Sequence, residues 1–208
     1  MLVRSKKELA VTLSKLKTFE IPKEKLEQYP TDSEAAATFL WDAYQLGDIE
    51  GKTIADLGCG IGILGIGAYL LDAKGIIFVD KDPDALSQLK ENLKKIQLDD
   101  NYSIIQEDVQ DISIQADVVI QNPPFGTRQK HADKIFLEVA KKTAPVIYSV
   151  HKTSTLAFVR AWAKDNMFLL THQWDLSLPL KQSYAHHRKK VERIDVSVVR
   201  LEKDLKTS

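Results

Sequence analysis

The chain has 208 residues, 44% hydrophobic and 28% charged, with 29 basic and 29 acidic side chains and a formal net charge of zero. That composition fits one globular domain with a sizeable core and excludes a polybasic or polyacidic partner-binding chain. The single cysteine, Cys59, excludes an internal disulfide and argues against a cysteine metal site, so no metal is expected and a reducing cytoplasm is the expected location.

The N-terminus, "MLVRSKKELAVTL", carries charge and has no long apolar core, so it does not read as a signal peptide. No run approaches the roughly 18 apolar residues of a membrane span. "KKELAVTLSKLKTF" sets Leu9, Leu13 and Leu16 at helix spacing. Pro22 and Pro30 interrupt it, and Thr31-Asp32-Ser33 opens a second helix, "EAAATFLWDAYQLG", that stops at Gly47. Residues 1–47 therefore read as a helical extension, and residues 48–208 as the core of a single domain.

From Lys52 the pattern alternates. "KTIADLG" is a strand, "ILGIGAYLLDA" an apolar helix, "GIIFVD" a strand, and "PDALSQLKENLKKIQL" an amphipathic helix with proline in its first turn. "YSIIQED" and "ADVVIQN" are strands, "HADKIFLEVAKKT" a helix, "APVIYSVH" a strand and "STLAFVRAWAKDN" a helix. Two long strands, "FLLTHQWDLSL" and "RIDVSVVRLE", close the chain. Apolar strands alternating with helices predict a mostly parallel, Rossmann-like sheet of seven strands covered on both faces, ending in an antiparallel hairpin.

"DLGCGIGILGIG" joins the first strand to its helix. Gly58, Gly60 and Gly62 let the backbone approach a ligand at the helix N-terminus. Asp80 ends the second strand twenty residues on, where an acid can accept both hydroxyls of a ribose. Asp56 precedes the glycines, and an acid there suits a cation better than a pyrophosphate. The Lys-Ser/Thr pair of a phosphate-binding loop is also missing. The loop therefore points to S-adenosylmethionine, which carries an ammonium and a sulfonium and no phosphate, with a dinucleotide as the alternative. Asp108, ending the third strand, is expected to take the adenine amino group, and Val109 to offer its backbone N–H to the ring.

The fourth strand runs into Asn122-Pro123-Pro124-Phe125. It should lie beside the first, where the winding reverses. Prolines cannot donate to a ladder and fix φ, so they hold a stiff loop with its carbonyls turned outward. An amine on a conjugated ring is a weak nucleophile. The Asn122 oxygen and the Pro123 carbonyl can accept its two N–H bonds and aim its lone pair at a methyl group, while Phe125 stacks on the ring. Positioning of this kind supplies much of such a reaction's barrier reduction.

"DLGCGIG" together with "NPPFGT" resembles the class I amino-methyltransferases, which act on adenine N6, cytosine N4, guanine N2 or a glutamine amide. "LEQYPT", "YSVHKTST" and "LPLKQSYAHHRKKVERIDVSVVR" extend the resemblance, over essentially the whole chain, to the archaeal and eukaryotic family that methylates adenine N6 in small-subunit ribosomal RNA. This resemblance implies that Gln28 and Thr31 close over the cofactor. With them, Gly58, Ile61, Ile63, Asp80, Asp108 and Val109 complete its site. It places His151, Lys152, Lys181, His187, Arg188, Lys189 and Lys190 toward RNA. The basic run from Lys181 to Arg193 suits that role, as does reading an exposed base by shape and phosphate contacts. The third strand is expected at the sheet edge with Ile104 and Ile105 unprotected. The resemblance implies a small zinc-containing activator protein there. A protein glutamine amide or a DNA base remains an alternative acceptor, and a non-catalytic RNA-binding scaffold an alternative role.

Overall fold

The structure, a computed structural model, describes residues 2–19, 23, 31–98, 101–125, 132–180 and 192–204. Chain order gives α1 (Lys6–Ser14), α2 (Ser33–Gln45), β1 (Thr53–Leu57), α3 (Ile63–Leu70), β2 (Gly75–Val79), α4 (Pro83–Ile96) and β3 (Tyr102–Ile105). Then follow β4 (Val118–Gln121), α5 (Ala132–Thr143), β5 (Val146–Lys152), α6 (Leu156–Asp165), β6 (Phe168–Leu180) and β7 (Glu192–Lys203).

The seven strands form one sheet in the order β3-β2-β1-β4-β5-β7-β6. All neighbours are parallel except β7, which runs antiparallel to both β5 and β6. The expected doubly wound sheet with an antiparallel terminal hairpin is thus present, and β3 is an edge strand as expected.

Each face is sealed by its own helices. Ile54, Ile76, Phe78, Ile120, Tyr148 and Val198 meet α1 through α4 on one face. Ala55, Leu57, Val79, Val119, Ile147 and Val199 meet α5 and α6 on the other. Full burial on both faces explains why the strands read as continuous apolar runs rather than alternating ones.

The helix starts are set by caps. The Asp82 side chain accepts from the Asp84 N–H, and Pro83 stands at the first helical position of α4. Asp32 does the same for α2, accepting from Glu34 and Ala35. Helix α1 is shorter than its leucine spacing predicts. Past Ser14 the Lys17 N–H leaves the helix and donates to Asn92 Oδ1 on α4 at 2.8 Å. A tertiary partner has replaced the next intrahelical bond.

A β-bulge between Leu170 and His172 changes which face β6 presents. Before it, Phe168 and Leu170 pack with α6; after it, Trp174, Leu176 and Leu178 pack with the α2 side. Pairing of β5 with β7 ends at Lys152 opposite Val196, but β6 and β7 stay paired out to Leu180 opposite Glu192. The two-stranded ribbon therefore overruns the sheet, and it does so at the carboxyl ends of the parallel strands.

Between α2 and β1, Asp48 is buried with Tyr148 and Arg200. Its Oδ2 accepts from the Tyr148 hydroxyl and from Arg200 Nε, each at 2.6 Å, while Oδ1 accepts from Nη2 at 3.2 Å. Removing one member of a buried ion pair leaves an uncompensated charge, which costs more than the pair itself contributes. Asp48→Ala should lose about 3 kcal/mol of unfolding free energy and Tyr148→Phe about 1 kcal/mol. Urea denaturation checks the order; equal losses would contradict it.

Candidate active site

The in-register pairing of β1 with β4 sets Leu57 opposite Gln121. The next residues, Gly58 and Asn122, leave the sheet as neighbours. The glycine loop and the Asn-Pro-Pro-Phe segment are thereby brought to one place at the carboxyl edge.

In the loop, Gly58, Gly60 and Gly62 take φ of +67°, +54° and +86°. These are left-handed values that other residues adopt only under strain. At Gly62 a Cβ would stand 2.2 Å from Leu89 Cδ1, and at Gly60 one would stand 3.0 Å from the Phe19 ring. The loop is clamped by buried Asn92, whose Nδ2 donates to the carbonyls of Ile61 and Lys17 at 3.1 and 3.2 Å. This clamp carries the segment after α1 onto the glycine loop and sets Phe19 over Gly60. Neither Phe19 nor Asn92 is visible as a site residue in the sequence, because their partners lie 41 and 31 positions away, at Gly60 and Ile61 respectively.

The three acids expected at the site have different surroundings. Asp56 lies within β1, 1% exposed, and its Oδ2 accepts the Gly65 N–H of α3's first turn at 2.8 Å. Through this bond it braces the loop from beneath. Burial pushes its carboxyl up to about 7. Asp80 is half-buried. Its Oδ2 accepts from Gly60 N–H at 2.8 Å and Oδ1 from Asp82 N–H at 2.9 Å, so it staples the loop to the β2–α4 turn. A carboxylate offers about four acceptor positions, so capacity for hydroxyls is left. Asp108 heads the short turn Val109–Asp111 and bonds Lys81 Nζ at 3.0 Å. Burial pushes its carboxyl up, but Lys81 and the Gln110 N–H outweigh this and the net direction is down. Val109 is buried; Ile61 and Ile63 are buried loop and first-turn residues.

Asn122 is the polar centre of the second segment. Its Nδ2 donates to Thr31 Oγ1, just ahead of the α2 cap, at 2.9 Å. Its Oδ1 is buried and has no partner among the described residues. An unpaired buried acceptor costs about 1–3 kcal/mol, so such groups point to a ligand or a functional role. Pro123 is buried, while Pro124 and Phe125 are half-buried. Lys152 Nζ lies 5.9 Å from the centre of the Phe125 ring, within cation–π range.

His151 corrects an expectation. It was expected to face RNA, but it is 1% exposed within β5 and its Nε2 has no partner among the described residues. Register explains this: His151 pairs with buried Ser197 of β7 and shares its face with buried Ser149. Burial holds the imidazole down at about 4, neutral at physiological pH. Lys152, the next residue, turns the other way. Gln28, Lys181, His187, Arg188, Lys189 and Lys190 lie outside the described residues.

A doubly wound seven-stranded sheet with this glycine loop and an Asn-Pro-Pro-Phe segment at its reversal point defines a class I S-adenosylmethionine-dependent methyltransferase. Residues 33–151 match the family model of the methyltransferase small domain. The zebrafish Danio rerio rRNA N(6)-adenosine-methyltransferase METTL5 is 39% identical over 201 residues, 93% of this chain and 97% of that protein. The Drosophila melanogaster protein of the same name is 36% identical, with 88% and 90% covered. A solved chain from Pyrococcus horikoshii, described as a candidate RNA methyltransferase, shares 42% identity at TM-score 0.89, covering 99% of this chain and all of that one. The chain belongs to this METTL5 family of rRNA N(6)-adenosine-methyltransferases.

The raised Asp56 pKa has a sign. A folded-state pKa of about 7 against an ordinary 3.8 means that the fold holds a proton the unfolded chain has released. The Asp56 contribution to stability is present below about pH 4 and is lost as pH rises to about 7. Buried His151 works oppositely, adding stability as pH rises from about 4 to 6.5. The comparison must therefore be between wild type and Asp56→Asn. In ligand-free protein the variant should gain stability relative to wild type between pH 4.5 and 7.5, read by urea denaturation. A difference independent of pH would contradict it.

Proposed function

We propose that the chain transfers the methyl group of S-adenosylmethionine to an adenine N6 in RNA, and that the RNA is small-subunit ribosomal RNA. The observation that carries this reading is the buried Asn122 Oδ1 beside the glycine loop, which has no partner among the described residues. A site built to present acceptors suits an amine and rejects an acceptor that brings a carbonyl. The ring of Phe125, half-buried and next in the loop, suits a flat base better than a glutamine side chain. The named family supports adenine and rRNA within that class.

The residues fit the cofactor. Left-handed glycines allow close backbone approach, and Asp80 keeps free lone pairs at the end of β2, suited to ribose hydroxyls. Ile61 and Ile63 supply apolar wall, Asp108 and Val109 the adenine end, and Gln28 closes from the N-terminal side. When bound, S-adenosylmethionine would supply an electrophilic methyl, the methyl–sulfur bond breaking as the sulfonium leaves as a neutral thioether. Asn122 Oδ1 and the Pro123 carbonyl accept the two N–H bonds of the base amine and turn its lone pair toward that methyl. Pro124 keeps the loop stiff and Phe125 covers the ring. The amine is neutral before attack, so no strong general base is required, and the extra proton leaves to water after the N–C bond forms.

RNA would approach along the overrunning β6–β7 ribbon; in sequence, the basic segment with Lys181, His187, Arg188, Lys189 and Lys190 joins its two strands. Lys152 stands at its base and supplies a cation beside the flipped nucleotide. The edge of β3 would receive the small zinc-containing activator protein. Ile104 and Ile105 are half-buried there, and among the described strands none pairs with the outer edge of β3. Among the described residues no helix is long and apolar enough to cross a membrane, and a cytoplasmic site of action is part of this reading.

With labelled S-adenosylmethionine and unmethylated small-subunit rRNA, Asn122→Ala should lose at least about 10²-fold in kcat, with cofactor affinity by calorimetry unchanged. Retained turnover would contradict the role. Asp80→Ala should weaken cofactor binding roughly tenfold, the size of a lost charge-assisted hydrogen bond. At the edge, Ile104→Lys should abolish co-elution with the activator in size-exclusion chromatography; an unaffected complex would remove that partner from β3.

A further inference from the structure

A carboxamide has two orientations of nearly the same shape but opposite hydrogen-bonding character. With Oδ1 toward the acceptor, Asn122 receives an amine N–H. Turned over, it presents its own N–H to an amine N–H, and both donors are left unpaired. The reading of Asn122 given above depends on the first orientation, so the inference below rests on it.

We infer that Thr31 is a positioning residue for methyl transfer, whose hydroxyl accepts from Asn122 Nδ2 and anchors that end of the amide, so that Oδ1 at the opposite end is held in place for the acceptor amine. Three observations carry this. The Nδ2 to Oγ1 distance is 2.9 Å, across 91 residues of sequence. Thr31 is 8% exposed, so water has little access to compete for the amide. The opposite end of the same amide, Oδ1, is buried and unpartnered among the described residues, and is thus the end available to a ligand.

Thr31 is also held firmly. It directly precedes Asp32, whose side chain caps α2 through Glu34 N–H and Ala35 N–H, each at 3.1 Å. Helix α2 is anchored by Ala36, Ala37, Phe39 and Leu40, all 1% exposed or less. A rigid helix start therefore delivers the hydroxyl to the amide. The N-terminal helices are part of the catalytic geometry, not only a cover for the cofactor. This role differs from the one the family resemblance implies for Thr31, which is closure over the cofactor.

The two roles separate in kinetics. Thr31→Val keeps the shape and removes the hydroxyl; Thr31→Ala is a second variant with no branched side chain to accommodate; Thr31→Ser keeps the hydroxyl. All are made in the full chain and assayed on unmethylated small-subunit rRNA at saturating S-adenosylmethionine, with cofactor Kd measured by calorimetry. The expected result is a fall of about 10²-fold in kcat for Val and Ala, the cost of misplacing a positioning group. Cofactor Kd and RNA KM should stay within about twofold, and Ser should restore most of kcat. Unchanged kcat with weakened cofactor binding would overturn the inference in favour of closure over the cofactor. Failure of Ser to restore kcat would overturn it in favour of packing. Asn122→Ala is run in parallel: wild-type turnover there removes the reading of Asn122 itself, whereas an inactive Asn122→Ala with a fully active Thr31→Val removes only the inference about Thr31.

Discussion

The parallel pairing of β1 with β4 puts Leu57 opposite Gln121, and the residues that follow leave the sheet side by side. One strand continues into glycines and the other into prolines. The first kind of residue lets a backbone come close to a ligand, and the second keeps a loop from closing on itself. A shift of one register position would separate Gly58 from Asn122 and turn Asp56 out from under the loop. The strand core that enforces this register, Ile54, Ala55, Val118, Val119 and Ile120, is apolar on both faces and almost fully buried. The chemistry at the edge rests on that packing.

Around this pairing, side-chain hydrogen bonds spanning from 9 to 91 residues of sequence hold the loops. Asp56 and Asp80 take backbone N–H groups of the glycine turn, Asn92 ties that turn to the segment after α1, and Thr31 ties α2 to Asn122. Each spends a polar side chain on positioning rather than on exposed binding. By contrast, two buried amide oxygens, Gln121 Oε1 and Asn122 Oδ1, have no partner among the described residues, and Asn122 is the one that has left the sheet beside the glycine loop. The Asp48–Tyr148–Arg200 cluster plays the corresponding structural part on the α2 side, joining the turn before β1 to β5 and β7.

Much of this was legible in the sequence. Strand–helix alternation gave the doubly wound sheet, and "QNPPF" and "DLGCGIG" marked the site because proline and glycine state backbone geometry directly. Side-chain direction was less legible. His151 reads as a basic neighbour of Lys152, yet strand parity turns one into the sheet and the other outward. Asp56 reads as a ligand for a cation, and its bond to the Gly65 N–H, which braces the loop from beneath, has no marker in the local sequence. Thr31 reads as part of a cap, and nothing in its neighbourhood announces a partner 91 residues away. Leucine spacing does not mark the end of α1 for the same reason, since a donor that leaves a helix for a tertiary acceptor has no local signal.

The acceptor class is what the proposed reading of this site commits to: an exocyclic amine on a flat base, which Asn122 and Pro123 would hold and Phe125 would cover. Mass spectrometry of nucleosides from small-subunit rRNA methylated by the purified chain tests this most directly. The account predicts N6-methyladenosine as the single new methylated nucleoside. Methyl on a base carbon, on a ribose hydroxyl or on a ring nitrogen would contradict it, because none of those acceptors offers two N–H bonds to the amide and the carbonyl.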